Sequence, residues 1–328
     1  CIGTDQIDLD SAHEGGVAVF NAPFSNTRSV AEKTICEIIA LHRNLFDRSA
    51  AMHQGRWLKS ARGAHEIRGR TLGIIGYGRI GSQVSVLAEA MGMRVLYYDK
   101  VDCLPLGNAT RVSSMEDILD HADVVTLHVP ATGETSGMIG ADELRRMRPT
   151  SYLINNARGS VVDVEALAAA LREQQIAGAA VDVFPAEPKS NAETFTSPLC
   201  GVPNVILTPH IGGSTEEAQR NIAEEVAGKL IKLMNNGSTT GAVNVPQVEL
   251  PLLHDSHHRI LHFHQNVPGV LSRLHNMLAE LGVNVAAEYL HTDPRHGYVI
   301  LDVASTNSES VKEGLKQIPG TIRVRTLW

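Results

Sequence analysis

One short segment constrains the fold of this chain more than any other, a glycine-rich turn directly after an apolar, β-branched run. Residues 71–75 predict a buried strand, Gly76-Tyr77-Gly78-Arg79-Ile80-Gly81 follows at once, and helical periodicity continues over residues 82–91. In such a turn Gly76 permits the tight bend, Gly78 lets the backbone approach a diphosphate, and Gly81 lets helix and strand pack closely. The turn therefore predicts a dinucleotide site at a helix N-terminus, with a purely structural glycine turn as the alternative.

An acidic residue stands where a dinucleotide fold needs one. Asp99 lies 18 residues after Gly81, at the end of the next predicted strand, residues 94–98. Its carboxylate would accept hydrogen bonds from the adenosine ribose and would repel a 2′-phosphate, which favours NAD over NADP. Lys100 could partly offset the charge of such a phosphate, and capping of the strand end is the other role open to Asp99.

Strand and helix signals alternate through the first two thirds of the chain. Helical segments such as residues 164–174 separate the apolar runs, and this alternation predicts a doubly wound, Rossmann-like α/β fold with a parallel sheet covered on both faces. Before the first strand, an apolar stripe from Val30 to Leu45 predicts one long helix over residues 29–45, followed by a connector through Gly63. The predicted strands are residues 71–75, 94–98, 124–128, 152–155, 179–184 and 205–208.

The periodicity changes after Gly212-Gly213. Residues 214–234 predict one amphipathic helix, and a polar stretch followed by Pro246 and Pro251 predicts a linker with a domain boundary near residue 255. From residue 257 onward the order is strand, helix, strand, strand, helix, strand in roughly 70 residues, which is the βαββαβ pattern of a ferredoxin-like domain.

Composition and charge exclude several functional classes. The 328 residues are 43% hydrophobic and 20% charged, so the chain can bury a core, and its length predicts two or three domains. Lys and Arg number 29 against 36 Asp and Glu, and the net charge of -7 disfavours a nucleic-acid partner. Four widely spaced cysteines predict free thiols and a cytoplasmic location, and we expect neither a membrane span nor a leader.

Three polar side chains follow predicted strands at the edge where α/β sheets bind ligands: Arg158, Glu187 and His210. Hydride transfer between a 2-hydroxy acid and nicotinamide needs a cation for the substrate carboxylate, and a guanidinium binds it with two parallel hydrogen bonds. It also needs an acid/base near neutrality, which an imidazole supplies when a carboxylate orients it. Taken singly, an arginine here is more commonly a surface ion-pair former, a glutamate a solvated loop charge and a histidine a satisfied core residue.

The phrases LGIIGYGRIG, NNARGSVVD, DVFPAEP and LTPHIGGST, together with Asp99, resemble the D-isomer-specific 2-hydroxyacid dehydrogenase family over essentially the whole chain. The chain is most similar to members with a C-terminal ACT domain, which oxidise 3-phosphoglycerate to 3-phosphohydroxypyruvate with NAD at the start of L-serine synthesis. The resemblance implies that Arg158, Glu187 and His210 are catalytic, that the protein is a homotetramer, and that reduction of 2-oxoglutarate is a possible second activity. The cofactor-binding residues that it implies are Gly76, Gly78, Arg79, Ile80, Gly81, Asp99, Asn156, Ala157, Arg158, Asp182, His210, Ile211, Gly212 and Gly213.

The family also implies a flavodoxin-like substrate domain, of which this chain would carry only a part. The opening residues resemble a strand end that runs into a capped helix, so we expect further sequence upstream, including groups that hold the substrate phosphate. Asn26 is the remaining polar residue expected near the substrate, and a loop residue that satisfies the backbone is an equal alternative. The predicted division is residues 1–25 and 213–254 for the partial substrate domain and linker, 26–212 for the NAD domain, and 255–328 for the ACT domain.

In the last domain the turn from His264 to Leu271 joins a strand to a helix whose amides could bind a carboxylate. Similarity to ACT domains implies a site for L-serine as feedback inhibitor at a domain interface, with His264, Asn266 and Asn284 as ligands. Helix capping and pairing across an interface are the alternative roles. No metal is expected, because the histidines of this region lack a cysteine or carboxylate at ligand spacing; they are His254, His257, His258, His262 and His264.

Two further functional hypotheses stay open at this level. A nucleotide-sensing binding protein could retain the same fold and NAD site without turnover, and an incomplete chain could bind NAD and react poorly. The predicted ACT domain favours a regulated enzyme over both.

Overall fold

The computed structural model describes residues 3–4, 6–253 and 257–328. The chain forms two compact units. The central unit is Asn26–Gln219, and the terminal unit combines Cys1–Ser25 with Arg220–Trp328. The predicted boundary near residue 255 lies outside the described residues.

Helices and strands occur in both units. The helices are α1 (Leu9–Glu14), α2 (Thr27–Arg43), α3 (Leu45–His53), α4 (Arg79–Ala90), α5 (Met115–His121), α6 (Ala141–Arg146), α7 (Val164–Arg172), α8 (Glu216–Asn236), α9 (Val270–Glu280) and α10 (Ser308–Lys316). The strands are β1 (Thr71–Ile75), β2 (Arg94–Tyr98), β3 (Thr110–Arg111), β4 (Val124–Leu127), β5 (Tyr152–Asn155), β6 (Gly178–Val181), β7 (Val205–Leu207), β8 (His257–Gln265), β9 (Val285–Thr292), β10 (His296–Ala304) and β11 (Thr321–Leu327). Short 3-10 helices cover Gly159–Val161 and Ser305–Asn307.

The central unit is built on one parallel sheet. Its strand order is β3-β2-β1-β4-β5-β6-β7, and every neighbouring pair is parallel. From β1 the next strands are added toward one edge of the sheet as far as β3, and β4 to β7 are then added toward the other edge. The switch point lies between β1 and β4, and a crevice for ligands forms at such a point, outside the carboxyl ends of the strands. The predicted doubly wound α/β fold is therefore confirmed.

Both faces of this sheet are buried, which explains the uninterrupted apolar runs of the sequence. Along β1, Leu72 and Ile74 pack into one core cluster while Ile75 packs into a second cluster on the other side. On β4 the neighbours Val124 and Val125 divide between the same two clusters. Since successive side chains of a strand point to opposite faces, apolar residues are needed at every position.

The region before β1 differs from the prediction of one long helix over residues 29–45. Helix α2 ends at Arg43, Asn44 takes a left-handed conformation with φ 48°, and α3 begins at Leu45. Asn tolerates this conformation better than most residues, so it can end one helix and turn the chain into the next. The expected connector is therefore partly helical. Helices α5 and α6 and the short strand β3 were not predicted either.

The terminal unit contains the predicted βαββαβ arrangement. Its sheet has the order β11-β8-β10-β9, with antiparallel pairing throughout. One core cluster includes side chains of α9, α10 and the sheet, and a second includes Leu261, Phe263, Tyr298 and Ile300 with residues of the preceding segment. The ferredoxin-like prediction for this part of the chain is confirmed.

A buried arginine links the terminal sheet to the segment before it. Arg259 is fully buried and donates two parallel hydrogen bonds of 2.7 Å to the carboxylate of Asp302. Its Nη1 also donates to the carbonyl oxygens of Asn236 at 3.0 Å and Pro251 at 2.8 Å. The planar guanidinium thus satisfies four acceptors at once, which a lysine could not do.

The opening segment of the chain belongs to the terminal unit. Asp8 caps α1 by accepting a hydrogen bond from the Ser11 amide, and Phe20 forms an isolated antiparallel bridge with Ala242. Across the described ranges, no helix combines the length and apolar character that a membrane crossing requires.

Candidate active site

The glycine turn between β1 and α4 has three different steric environments. A Cβ on Gly76, whose φ is +93°, would lie 2.6 Å from the carbonyl oxygen of His128, and one on Gly81 would lie 2.2 Å from the carbonyl oxygen of Gly76. A Cβ on Gly78 would meet nothing within 4 Å. Gly78 is the N-cap of α4, and no side chain of the described residues makes a capping hydrogen bond there. This turn therefore fits a diphosphate.

Asp99 follows β2 and contacts the same turn. Its Oδ2 accepts a hydrogen bond of 2.7 Å from the amide of Tyr77, and its Oδ1 accepts one of 2.9 Å from Val101. Lys100 is exposed and pairs with Glu134 at 2.9 Å, so its charge is partly balanced away from Asp99. Arg79 and Ile80, the first residues of α4, are exposed and half-buried respectively.

His210 and Glu187 form a hydrogen-bonded pair. The Nδ1 atom of His210 lies 2.8 Å from Oε2 of Glu187, while Oε1 of Glu187 accepts a 3.0 Å hydrogen bond from the amide of Phe184. The carboxylate is thus fixed at one oxygen by backbone and holds the imidazole with the other. About half of the His210 side chain is exposed (51%), so Nε2 can reach a ligand.

The backbone of His210 is held in an unusual conformation. Its φ is 53°, in the left-handed region that residues other than glycine rarely occupy. Two hydrogen bonds hold it there, from the His210 amide to the carbonyl oxygens of Asp182 at 2.8 Å and Thr208 at 3.0 Å. Such strain costs on the order of 1–3 kcal/mol and persists where the surrounding structure enforces it.

Asp182, the cofactor residue that the family resemblance implies after β6, is only 1% exposed. Its Oδ1 accepts a hydrogen bond from the amide of Ile211 at 3.0 Å, and its Oδ2 accepts one from Gly212 at 2.8 Å. The carboxylate therefore supports the backbone that follows His210. A direct contact between Asp182 and the cofactor stays a prediction.

A buried charge network extends from Asp182 to helix α2. Lys33 lies 3.4 Å from Asp182 and pairs with Glu37 one turn later. Asn156 accepts a 3.1 Å hydrogen bond from Lys33 and donates a 2.6 Å hydrogen bond to Glu37. Burial raises the pKa of Glu37, against the opposing effect of Lys33. The network joins the segments after β5 and β6 to one helix.

Arg158 lies after β5 on a turn that Asn155 closes. Nδ2 of Asn155 donates a hydrogen bond of 3.1 Å to the Arg158 carbonyl oxygen, and Oδ1 of Asn155 accepts one of 3.1 Å from the amide of Ala157. A Cβ on the next residue, Gly159, would lie 2.0 Å from the carbonyl carbon of Phe184. This close approach places the turn that carries Arg158 directly against the loop that carries Glu187.

A cavity of about 410 Å³ adjoins the pair of His210 and Glu187. Phe184 and Phe195 contribute apolar surface to it, and Lys189 contributes a basic group. A space of this size, with a few polar groups among apolar ones, is typical of small-ligand sites.

Asn26 precedes α2 and contacts the segment after His210. A Cβ on Gly213 would lie 2.5 Å from Nδ2 of Asn26. The Oδ1 atom of Asn26 is buried and has no hydrogen-bond partner among the described residues. A buried acceptor without a partner is consistent with a ligand contact, and the role of Asn26 at the substrate stays a prediction.

The three residues predicted to bind serine are not adjacent within one chain. His264 is 2% exposed, and its Nδ1 lies 2.8 Å from the Gln265 carbonyl oxygen. Asn266 is exposed and donates a hydrogen bond of 2.7 Å to the carbonyl oxygen of Asp293. In the register, His264 pairs with Gly297, whereas Asn284 precedes Val285, which pairs with Val303. At about 3.3 Å per residue, those ends of the sheet are roughly 20 Å apart.

Lys33 and Glu37 were not predicted as parts of the site. The stripe from Val30 to Leu45 was interpreted for its apolar residues alone. A Lys and a Glu four residues apart beside that stripe were the available signal. The contacts of Lys33 with Asn156 and Asp182 join residues far apart in the sequence, so no local pattern predicts them.

A parallel sheet with an open glycine turn, an acid after β2 and an imidazole–carboxylate pair at the carboxyl edge defines a dinucleotide-dependent dehydrogenase. Comparison with known families agrees, since residues 35–212 match the family described as D-isomer specific 2-hydroxyacid dehydrogenase, NAD binding domain. Residues 260–323 match the AHAS small subunit-like ACT domain. The chain belongs to the D-isomer specific 2-hydroxyacid dehydrogenase family.

Curated relatives cover the whole chain. It is 54% identical over 330 residues to D-3-phosphoglycerate dehydrogenase of Escherichia coli (strain K12), with 100% of this chain and 80% of the relative covered. The protein of that name from Dictyostelium discoideum is 52% identical over 328 residues, again with 100% and 80% covered.

Solved structures show the same fold. A D-lactate dehydrogenase of Lactobacillus jensenii with NAD+ has a TM-score of 0.67 at 32% identity, and a D-lactate dehydrogenase from Sporolactobacillus has 0.67 at 39%. In both cases 74% of this chain and 76% of the other chain are covered. The protein is thus an NAD-dependent 2-hydroxyacid dehydrogenase with a C-terminal ACT domain.

Proposed function

We propose that the enzyme oxidises 3-phospho-D-glycerate at C2 to 3-phosphohydroxypyruvate, as the first step of L-serine biosynthesis. The observation that carries this proposal is the 2.8 Å pair of His210 and Glu187, beside the turn that holds Arg158. The choice among 2-hydroxy acids rests on the full-length similarity to proteins named D-3-phosphoglycerate dehydrogenase, at 54% identity.

The three polar residues divide the work. Arg158 binds the substrate carboxylate with its planar guanidinium. His210 takes the proton of the C2 hydroxyl at Nε2, because Nδ1 is engaged with Glu187. The carboxylate of Glu187 orients the ring and stabilises the imidazolium that forms. Bound NAD would supply the hydride acceptor for the C2 hydrogen, and with the hydroxyl proton on His210 the C2 alcohol becomes a ketone.

The remaining predicted residues have supporting roles in this proposal. Residues 26–212 form the NAD-binding domain, in which the amides after Gly78 bind the diphosphate and Asp99 binds the ribose. The carboxylate of Asp182 shapes the segment after His210, and Asn26 presents its unsatisfied oxygen to the substrate. NAD fits this site, because the space beside Gly78 is open and α4 has no side-chain cap.

The proposed substrate is tested by steady-state formation of NADH. We expect kcat/KM for 3-phosphoglycerate to exceed that for D-lactate by orders of magnitude, and phosphohydroxypyruvate to be reduced with NADH. A 2-oxoglutarate arm measures the proposed second activity. Binding of NADH without reduction of any 2-oxo acid would contradict the proposed reaction. It would favour either the nucleotide-sensing protein or the incomplete chain that binds NAD and reacts poorly.

We further propose that L-serine inhibits this enzyme at a site formed by two ACT domains. His264 and Asn266 would come from one copy and Asn284 from another, because within one copy they lie near opposite ends of the sheet. Assembly into a homotetramer, placed in the cytoplasm, is part of this proposal.

The serine site is tested by comparing L-serine with D-serine as inhibitors. Asn266→Ala and Asn284→Ala should each raise the inhibitory concentration of L-serine without changing kcat in its absence. Light scattering measures the assembly state in the same samples. Inhibition that survives both substitutions would place the effector elsewhere.

A further inference from the structure

Three side chains that can bind a metal meet in the terminal unit. His13 lies on α1, Asp293 follows β9, and His296 begins β10. Nε2 of His13 is 3.0 Å from Oδ2 of Asp293, and the two imidazole rings have centroids 3.9 Å apart. One ligand atom from each residue lies within 4.8 Å of the other two.

The backbone orients the carboxylate of this cluster. Oδ1 of Asp293 accepts hydrogen bonds from the amides of Arg295 at 2.8 Å and His296 at 2.7 Å. Its Oδ2 is left to face His13. A carboxylate fixed in this way loses little conformational freedom when it binds a cation, and its outer hydrogen bonds are typical of metal ligands.

Burial distinguishes the cluster from an ordinary surface pair. His13 is 6% exposed and His296 is 7% exposed. His275 and Glu288 form an exposed pair in the same unit, since they lie 3.1 Å apart and the His275 side chain is 52% exposed. That pair also lacks a third ligand in the described part of the chain. Two imidazoles and one carboxylate are a common three-residue ligand set for zinc.

A cavity gives access to the cluster. It has a volume of about 630 Å³ and is lined in part by His13, Asp293 and Asn244. At its wall, Arg295 pairs with Asp10 at 2.9 Å, which balances the nearby positive charge. Three protein ligands leave a fourth position of a tetrahedral ion for water, and the cavity supplies room for it.

We propose that His13, Asp293 and His296 bind a divalent transition-metal ion of the zinc class. At the usual bond lengths of about 2.0–2.1 Å, tetrahedral ligand atoms are separated by roughly 3.3 Å. The 3.0 Å contact between His13 and Asp293 needs only a small expansion to reach that separation. The ion would join α1 to the turn between β9 and β10. None of these three residues is assigned to the dehydrogenase reaction, so the proposed metal site does not depend on the proposed function.

Zinc titration of the full chain, after chelator treatment and dialysis, tests the proposal. We expect one equivalent to bind, measured by competition with a chromophoric chelator, and the thermal midpoint to rise with zinc by mass action. Asp293→Asn keeps an oxygen acceptor for the turn and removes the charge, and His296→Asn removes a ring ligand. Each should weaken zinc binding about tenfold or more, whereas His275→Asn, the matched control, should not.

Cobalt spectroscopy of the unaltered protein tests the geometry without any substitution. Stoichiometric Co²⁺ should give the intense visible bands of a tetrahedral site, and zinc should abolish them. The weak spectrum of the aqua ion, or zinc binding that persists in both Asp293→Asn and His296→Asn, would overturn the proposal. NADH binding by the variants, measured in parallel, checks that the rest of the chain is intact.

Discussion

Gly159 packs against the backbone of Phe184 so closely that a Cβ atom would lie 2.0 Å from the Phe184 carbonyl carbon and 2.1 Å from its oxygen. The contact joins the turn after β5 to the loop after β6. Arg158 precedes this glycine, and Glu187 lies on that loop. The cation and the carboxylate of the candidate site therefore depend on a contact between two backbones.

Gly159→Ala should damage the site through this contact. The added methyl group cannot be accommodated unless one backbone moves, at a cost of about 1–3 kcal/mol or more. We expect a lower thermal midpoint and a larger loss of kcat/KM. Gly133→Ala is the control, because a Cβ there meets nothing within 4 Å. Equal behaviour of the two variants would contradict the packing argument.

Two glycines of the dinucleotide turn should respond differently to alanine. Gly78→Ala should leave the thermal midpoint nearly unchanged, since the new Cβ has open space around it, and should weaken NADH binding by about tenfold. Gly81→Ala should lower the midpoint, because its Cβ would lie 2.2 Å from the Gly76 oxygen. Fluorescence titration and thermal unfolding measure the two effects. Unchanged NADH affinity in Gly78→Ala would count against a diphosphate there.

His210→Gln should remove turnover and preserve cofactor binding. Loss of the proton acceptor is expected to lower kcat by about 10²–10⁴-fold or more. Glu187→Gln should lower kcat less, since the ring keeps a hydrogen-bond partner but loses the stabilising charge. NADH titration should give dissociation constants close to the original in both variants. Retained turnover in His210→Gln would reject its acid/base role.

Lys33→Met should destabilise the central unit. The substitution leaves the buried carboxylates of Asp182 and Glu37 without their cation, which costs about 3–5 kcal/mol for a buried pair. Arg28→Met on the same helix breaks a pair with Glu32 that is 63% and 60% exposed, and it should change stability little. Denaturant unfolding compares the two. A similar small effect in both would show that the network is not needed for stability.

Acidification should destabilise the terminal unit through His262. Its ring is fully buried, Nδ1 has no described hydrogen-bond partner, and burial lowers its pKa from 6.5 to about 3. Between these values the unfolded chain binds a proton that the folded chain does not, so stability falls as the pH drops below 6.5. The expected loss is about 1.4 kcal/mol per pH unit, or roughly 2 kcal/mol at pH 5.

His262→Gln tests this pH dependence. The variant should lose less stability than the original protein between pH 7 and pH 5, in denaturant titrations at each pH. Identical pH dependence in the variant and the original protein would exclude His262 as the cause.

Several features could be predicted because their signals are local. The order of β1, glycine turn and α4 lies in one continuous segment, and each reacting group lies in the loop that follows a strand. The break at Asn44 was missed, since apolar spacing continues across it and a single left-handed residue leaves the periodicity intact. Helices α5 and α6 are short, and Ser114 caps α5 with a capping box that an apolar pattern does not reveal.

The sequence by itself determined the α/β class, the βαββαβ domain, the dinucleotide turn and the residue types at the strand ends. These depend on spacing along the chain, where side-chain chemistry and backbone preference act over a few residues. Only the tertiary structure decided that Lys33 contacts Asp182, and that His13 contacts Asp293 across 280 residues. Partners so far apart are selected by how packed elements place them, and a short stretch of sequence contains no record of that placement.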